Sequence, residues 1–402
     1  MAARLVIIGS GETSPTMVKV HREILATAGA GPAAMIDTPF GFQVNADDLT
    51  DKILEYFRDS VGSSLDVVRW RHRDEPVTER ERALALMARA SWTFAGPGSP
   101  TYALRQWNDT PMPAAMRALV ERGGTLVMGS AAAVTVGRYA VPVYEIYKVG
   151  IEPHWVDGLD LLGSLTGITA VVVPHYDNRE GGRHDTRYCY LGEERLVRLE
   201  ADLPGDVGVL GVDEHTAVIL DIPSRTATVQ GVGTLTLRHR GRSTVVAAGE
   251  SVSFDDIARA LRGDGLTADS VTAATPAPDE VATAGESLSL RAEVDRLRGA
   301  FDAGMAAGDA EGALAAALEL EDAIHAWSAD TVQGDHVDRA RAALRSMLVD
   351  LANAAVSGLR DERDVLAPVV EVALDARRRV REARDFATSD VIRDALAARG
   401  IE

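Results

Sequence analysis

The sequence predicts an α/β fold, a mostly parallel sheet flanked by helices, followed by an all-α helical bundle. Three observations predict it. From residue 1 to about 250, short β-branched runs alternate with amphipathic stretches. Over Ala217 to Val246 the pattern changes to alternation with turn residues. Beyond residue 288 the chain carries helical spacing alone. Apolar strands separated by helices imply a sheet covered on both faces.

Each element follows from a local pattern. Leu5 to Ile8 is a buried strand ending in the glycine turn Gly9-Ser10-Gly11. Further strands are expected at Ala33 to Asp37, Asp66 to Arg69, Trp92 to Phe94, Thr125 to Met128, Thr169 to Val173 and Val207 to Val212. Helices are expected between them at Thr16 to Ala28, Asp47 to Ser60, Thr78 to Ala90 and Pro113 to Arg122. The stretch from Ala217 to Val246 reads as an antiparallel meander closing the domain.

Residues 264–287 form a linker rich in Ala, Thr, Pro, Asp and Glu, without periodicity. It separates a domain over 1–263 from a helical domain over 288–402. Leu290, Val294, Leu297, Phe301 and Met305 recur at three–four spacing, and Gly308 ends that helix. Later helices fit Ala310 to Trp327, His336 to Val356, Val365 to Arg384 and Thr388 to Ala398.

Composition narrows the function classes. The chain has 402 residues, 46% hydrophobic and 25% charged, with one cysteine, Cys189. That excludes an internal disulfide and a thiolate metal cluster. No apolar run approaches the ~20 residues that span a membrane, and Leu5 to Ile8 is too short for a signal-peptide core. A cytoplasmic protein is the expectation. A net charge of −18 disfavours nonspecific nucleic-acid binding. No metal is expected, because His175, Asp177, His184 and Asp185 are too loosely spaced. No cofactor is expected either, since Gly9 to Gly11 lacks a dinucleotide or phosphate fingerprint.

Four segments carry candidate chemistry. Thr125-Leu-Val-Met-Gly-Ser130-Ala-Ala-Ala is a strand, a serine among small residues and a helix start. A nucleophile elbow needs this pattern, since the tight turn leaves little room for neighbouring Cβ atoms. The same segment also fits a plain strand-to-helix turn with Ser130 as N-cap. Val171-Val-Val-Pro-His175-Tyr-Asp177 puts a histidine just past a strand, and Gly211-Val-Asp-Glu214 does the same for acids. Parallel sheets place sites at such strand ends, where a serine, histidine and carboxylate can form a proton relay. Phe94-Ala-Gly-Pro-Gly98-Ser-Pro-Thr-Tyr102 is a glycine turn suited to presenting an N–H to an oxyanion.

Together these segments resemble the serine-peptidase family of cyanophycinase and α-aspartyl dipeptidase, which has a class I glutamine amidotransferase-like fold. Ile8-Gly-Ser-Gly-Glu12, Gly96 to Leu104, Ser130 to Gly137, Pro174-His-Tyr-Asp177 and Gly211 to Ala217 carry the likeness, in family order over about residues 4–246. The resemblance implies a serine hydrolase acting on a small peptide or amide. It makes Ser130 the nucleophile, His175 the base and Glu214 the third member, with Asp177 and Glu145 as rivals. Gly98 and Ala131 would supply oxyanion amides, and Arg187 would hold a substrate aspartyl carboxylate. Ala132 departs from the family's elbow glycine, and a register shifted by one residue would put Ala131 at the nucleophile position.

Roughly residues 288–402 resemble the helical C-terminal region of cysteinyl-tRNA synthetases, most specifically over Ala376 to Glu402, with Arg-Asp-Phe-Ala-Thr-Ser-Asp-Val-Ile-Arg-Asp at its centre. The synthetase catalytic motifs His-Ile-Gly-His and Lys-Met-Ser-Lys-Ser are missing, so aminoacylation is not expected. The alternative function is an inactive binding protein whose helical domain engages tRNA or a protein partner.

Overall fold

The computed structural model describes residues 3–179, 181, 183–267, 270–274, 289–327, 336–357 and 362–400. Most of the linker at 264–287 lies outside the described residues. The chain divides into two compact units, Met1–Leu288 with His325–Asp335, and Ser289–Ile324 with His336–Glu402.

The first unit holds fifteen strands among its described residues. In chain order they are β1 (Arg4–Ile8), β2 (Ala33–Ile36), β3 (Asp66–Val68), β4 (Trp92–Ala95), β5 (Thr125–Gly129), β6 (Tyr139–Ala140), β7 (Val156–Asp157), β8 (Ala170–Val173), β9 (Gly208–Val212), β10 (Thr216–Asp221), β11 (Thr226–Gly231), β12 (Thr234–His239), β13 (Arg242–Ala247), β14 (Glu250–Ser253) and β15 (Val271–Ala273). Nine of them form one sheet, ordered β15-β14-β11-β10-β1-β5-β4-β2-β3. The five strands from β1 to β3 in that order run parallel, as the alternation of strands and helices predicts. From β10 outward the pairing is antiparallel.

Helices Val18–Ala26, Ala46–Glu55, Val77–Arg89 and Met112–Glu121 cover this sheet. Strand β1 shows why both faces are buried. Leu5 and Ile7 enter one core with Met87 and Met116, while Val6 and Ile8 enter another with Ile24 and Phe57. That is the period-two alternation of a central strand. The expected helix to Ser60 ends its regular part at Glu55; a wider π turn over Tyr56–Val61 follows and stops at Gly62, φ 83°.

Two strands expected in the main sheet lie elsewhere. β8 and β9 pair in parallel in a second sheet, ordered β13-β12-β9-β8. Its Val172, Leu210 and Leu235 share the core of Leu5 and Ile7, so one apolar core joins the two sheets. The expected meander is split between the sheets. β10 and β11 extend the main sheet, and β12 and β13 belong to the second. The crossing falls at Gly231, where φ is 108° and a Cβ would stand 2.2 Å from the His215 carbonyl oxygen. Only glycine fits such a turn.

The second unit is helical throughout its described residues: Leu290–Ala307, Ala310–Ala326, His336–Ser357, Glu362–Glu382 and Phe386–Ala397. Ser289 and Asp385 cap two of these by accepting from Ala292 N and Thr388 N. Gly308, with φ 70°, ends the first. Leu297, Phe301, Ala317 and Leu320 are buried. No helix among the described residues is long and apolar enough to cross a membrane.

Candidate active site

β5 runs straight into a short helix over Ser130–Val134. Ser130 makes the turn with φ 46°, a left-handed conformation that a non-glycine residue adopts at a cost. Small neighbours make the turn possible. A Cβ on Gly129 would stand 3.2 Å from the Glu12 side chain. Ala132 is fully buried, and its N–H donates to the Gly96 carbonyl at 3.2 Å, tying the elbow helix to the glycine segment. Met128 packs into the core. A Gly-x-Ser-x-Gly elbow would carry glycine at 128 and 132; Met128 and Ala132 take those places here without a left-handed backbone.

β8 ends at Val173, and His175 follows with φ 48°. Its N–H donates to the Gly9 carbonyl at 3.2 Å, and its own carbonyl accepts from Cys189 N at 3.1 Å. These bonds fix the backbone that aims the ring. Ser130 Oγ lies 2.9 Å from His175 Nε2. On the far side, His175 Nδ1 lies 2.9 Å from Glu214 Oε1.

Glu214 sits in the turn between β9 and β10. Asn178 Nδ2 donates to the same Oε1 at 2.9 Å. Burial alone would raise the Glu214 carboxyl. The hydrogen bond from His175, its charge and the Asn178 amide more than offset that, and the pKa falls to about 2. An ionised carboxylate at Nδ1 holds the ring proton there, so Nε2 accepts from the serine hydroxyl.

The other candidates fall into place around this chain. Asp177 accepts from Glu214 N at 2.8 Å, so it props the acid's backbone. Glu145 accepts from Thr101 Oγ1 at 2.9 Å, beside the glycine segment. Gly98 has φ 139°, and a Cβ there would stand 2.0 Å from the Pro39 carbonyl oxygen. The next residue's N–H donates to that same oxygen at 2.8 Å, and Ser99 Oγ caps helix Pro100–Trp107. Ala131 lies in the first turn of the elbow helix, whose amides have no intrahelical partner.

Arg187 is half exposed and donates to both oxygens of Asp185, Nε and Nη2 each at 2.9 Å. That bidentate pair holds the Asp185 carboxyl well below its usual range. The buried Cys189 thiol is pushed up to about 12 by desolvation, so it stays protonated. Among the described residues no group of three His, Cys, Asp or Glu side chains could hold a metal ion.

Asn178 carries no pattern that reveals it in the sequence, since it acts only once the β8 loop folds against the β9 turn. In the sequence Glu12 marks only the end of a glycine loop. It is 1% exposed, with Oε1 unpaired, and burial raises its carboxyl.

No family model matches the chain. A peptidase from an acI-B1 Actinobacterium superposes over 63% of this chain and 97% of its own, with a TM-score of 0.51 and 18% identity. The two share a fold. Ser130, His175 and Glu214 stand on the part of the chain that has this shared fold. Separately, the cysteine–tRNA ligase of Synechococcus sp. (strain WH7803) is 33% identical over 146 residues, covering 33% of this chain and 29% of the ligase. That of Brevibacillus brevis (strain 47) is 33% identical over 96 residues, covering 21% of this chain and 20% of the ligase. The chain therefore spans less than a third of the length of these curated relatives.

Proposed function

We propose that the first unit is a serine hydrolase that cleaves a small peptide or amide by acyl transfer to Ser130. One observation carries the reading: a continuous path from Ser130 Oγ to His175 Nε2, 2.9 Å, and from His175 Nδ1 to Glu214 Oε1, 2.9 Å. Glu214 keeps the Nδ1 proton in place. As Oγ attacks the scissile carbonyl carbon, Nε2 takes the hydroxyl proton. The oxyanion that forms faces the amides of Gly98 and Ala131. Collapse breaks the C–N bond, and the imidazolium hands its proton to the leaving nitrogen. Water then attacks the acyl ester, gives a proton to His175, and Ser130 leaves with that proton.

The strained turn at Ser130 supports this reading, because left-handed non-glycine residues cluster at functional sites. An aspartyl substrate would require Arg187 to exchange Asp185 for the ligand. The second reading, an inactive protein whose helical unit engages tRNA, draws on the likeness to cysteine–tRNA ligases. Residues 280–402 oppose it with 15 arginines against 24 acids, a poor surface for phosphate. The test is turnover of p-nitrophenyl acetate. The native chain should release nitrophenolate, and Ser130→Ala should fall to the buffer rate with an unchanged melting temperature. Equal rates in both would remove Ser130 from the chemistry.

A further inference from the structure

We propose that Tyr190 and Tyr147 form a subsite beside the Ser130–His175 pair that takes an aromatic side chain of the substrate. This inference rests on the hydrolase reading of that pair.

Three consecutive residues, Tyr188, Cys189 and Tyr190, hold left-handed backbones at φ 61°, 56° and 65°. Such a run persists only where the surroundings over-determine it. Here two bonds pin it to the catalytic loop: Tyr188 N donates to Tyr176 O at 3.0 Å, and Cys189 N to His175 O at 3.1 Å. The turn delivers the Tyr190 ring to a centroid distance of 6.0 Å from the His175 ring. Tyr147 extends the wall, its ring 5.3 Å from Tyr190 and tilted by 34°, with the His184 ring stacked beside it at 6.3 Å.

A second anchor places Tyr147. It lies in the single turn Glu145–Val149, whose Glu145 accepts from Thr101, three residues past Gly98. The turn therefore reaches from the glycine segment to the histidine side of the site. Both rings are half-buried. Tilted ring pairs at this separation accept a further aromatic ring in an offset or edge-on arrangement. Their ring faces favour another ring over a carboxylate, which would lose its water against them. The Arg187 guanidinium, the group suited to an acid, lies over the Tyr188 ring at 5.0 Å and is already bound by Asp185.

The test separates binding from chemistry. Full-length Ser130→Ala protein is titrated calorimetrically with N-acetyl dipeptide amides that differ only in one side chain, phenylalanine, alanine or aspartate, at either position. The phenylalanine peptide should bind at least ~10-fold tighter than the other two. Adding Tyr147→Ala should bring that ratio below ~3, while adding Tyr147→Phe, which keeps the ring, should preserve it. Equal affinities, preference for aspartate, or no binding of any peptide would overturn the subsite. Fluorophosphonate labelling of the native chain reads the hydrolase assignment independently. A labelled chain without aromatic preference sinks the subsite alone, and an unlabelled chain with that preference sinks the hydrolase reading alone.

Discussion

Ser130 and His175 each hold a left-handed backbone, at φ 46° and 48°, and their side chains meet at 2.9 Å. They arrive from different sheets. Ser130 follows β5 in the nine-stranded sheet, and His175 follows β8 in the four-stranded one. Leu5, Ile7, Val172 and Leu210 from the two sheets share one core, and the bond from His175 N to the Gly9 carbonyl, 3.2 Å, ties the histidine to the end of β1. Core packing is dense and transmits small shifts, so the site depends on apolar residues remote from it.

Glu214→Gln should lower ester turnover by about 10³- to 10⁴-fold while the fold persists. The amide cannot hold the Nδ1 proton as a carboxylate does. Steady-state kinetics check this. A loss under tenfold would hand the role to another acid.

His21 gives the fold an acid-sensitive element. It is fully buried and its pKa is lowered to about 4, chiefly by desolvation, with its Nε2 2.7 Å from the Glu12 carbonyl oxygen. A buried neutral histidine whose folded pKa lies below its unfolded value of 6.5 stabilises fully above 6.5, and that stability is lost as pH falls toward 4. Thermal melts should show a decline beginning near pH 6.5. His21→Phe should start from a lower melting temperature and flatten the slope between pH 6.5 and 4. An unchanged slope would place the acid sensitivity elsewhere.

Gly98→Ala should damage the glycine segment. Its φ of 139° is closed to alanine, and the new Cβ would meet the Pro39 carbonyl oxygen at 2.0 Å. A stability loss of roughly 1–3 kcal/mol is expected, together with loss of turnover. A variant as active and stable as the native chain would show that this loop does not serve the oxyanion.

Arg187→Ala should change stability by less than ~1 kcal/mol, because the pair with Asp185 is exposed to solvent. Turnover of an aspartyl peptide and of a neutral ester should change in equal proportion. A selective loss on the aspartyl peptide would show that the guanidinium leaves Asp185 for substrate.

Much of this molecule can be read from residue patterns, and the remainder has definite physical causes. Leu5 to Ile8 and Thr125 to Met128 read as strands because continuous apolar runs fit a sheet buried on both faces. The same property hides neighbours. Val171 to Val173 look like any central strand, and nothing local says that they pair with β9 and not with β5. Small residues around Ser130 mark a turn, but the left-handed backbones of Ser130, His175 and Tyr188 to Tyr190 arise from tertiary bonds and have no residue signature. Asn178 and Glu12 matter through what they touch, which only the folded chain decides.

If Ser130 is an activated nucleophile, it should react with a fluorophosphonate. The full-length chain is treated at neutral pH, and the adduct is located by peptide mass spectrometry. One adduct is expected, on Ser130, formed faster than on free serine and abolished by His175→Ala. A folded chain that takes no adduct, or takes it on another residue, would contradict it.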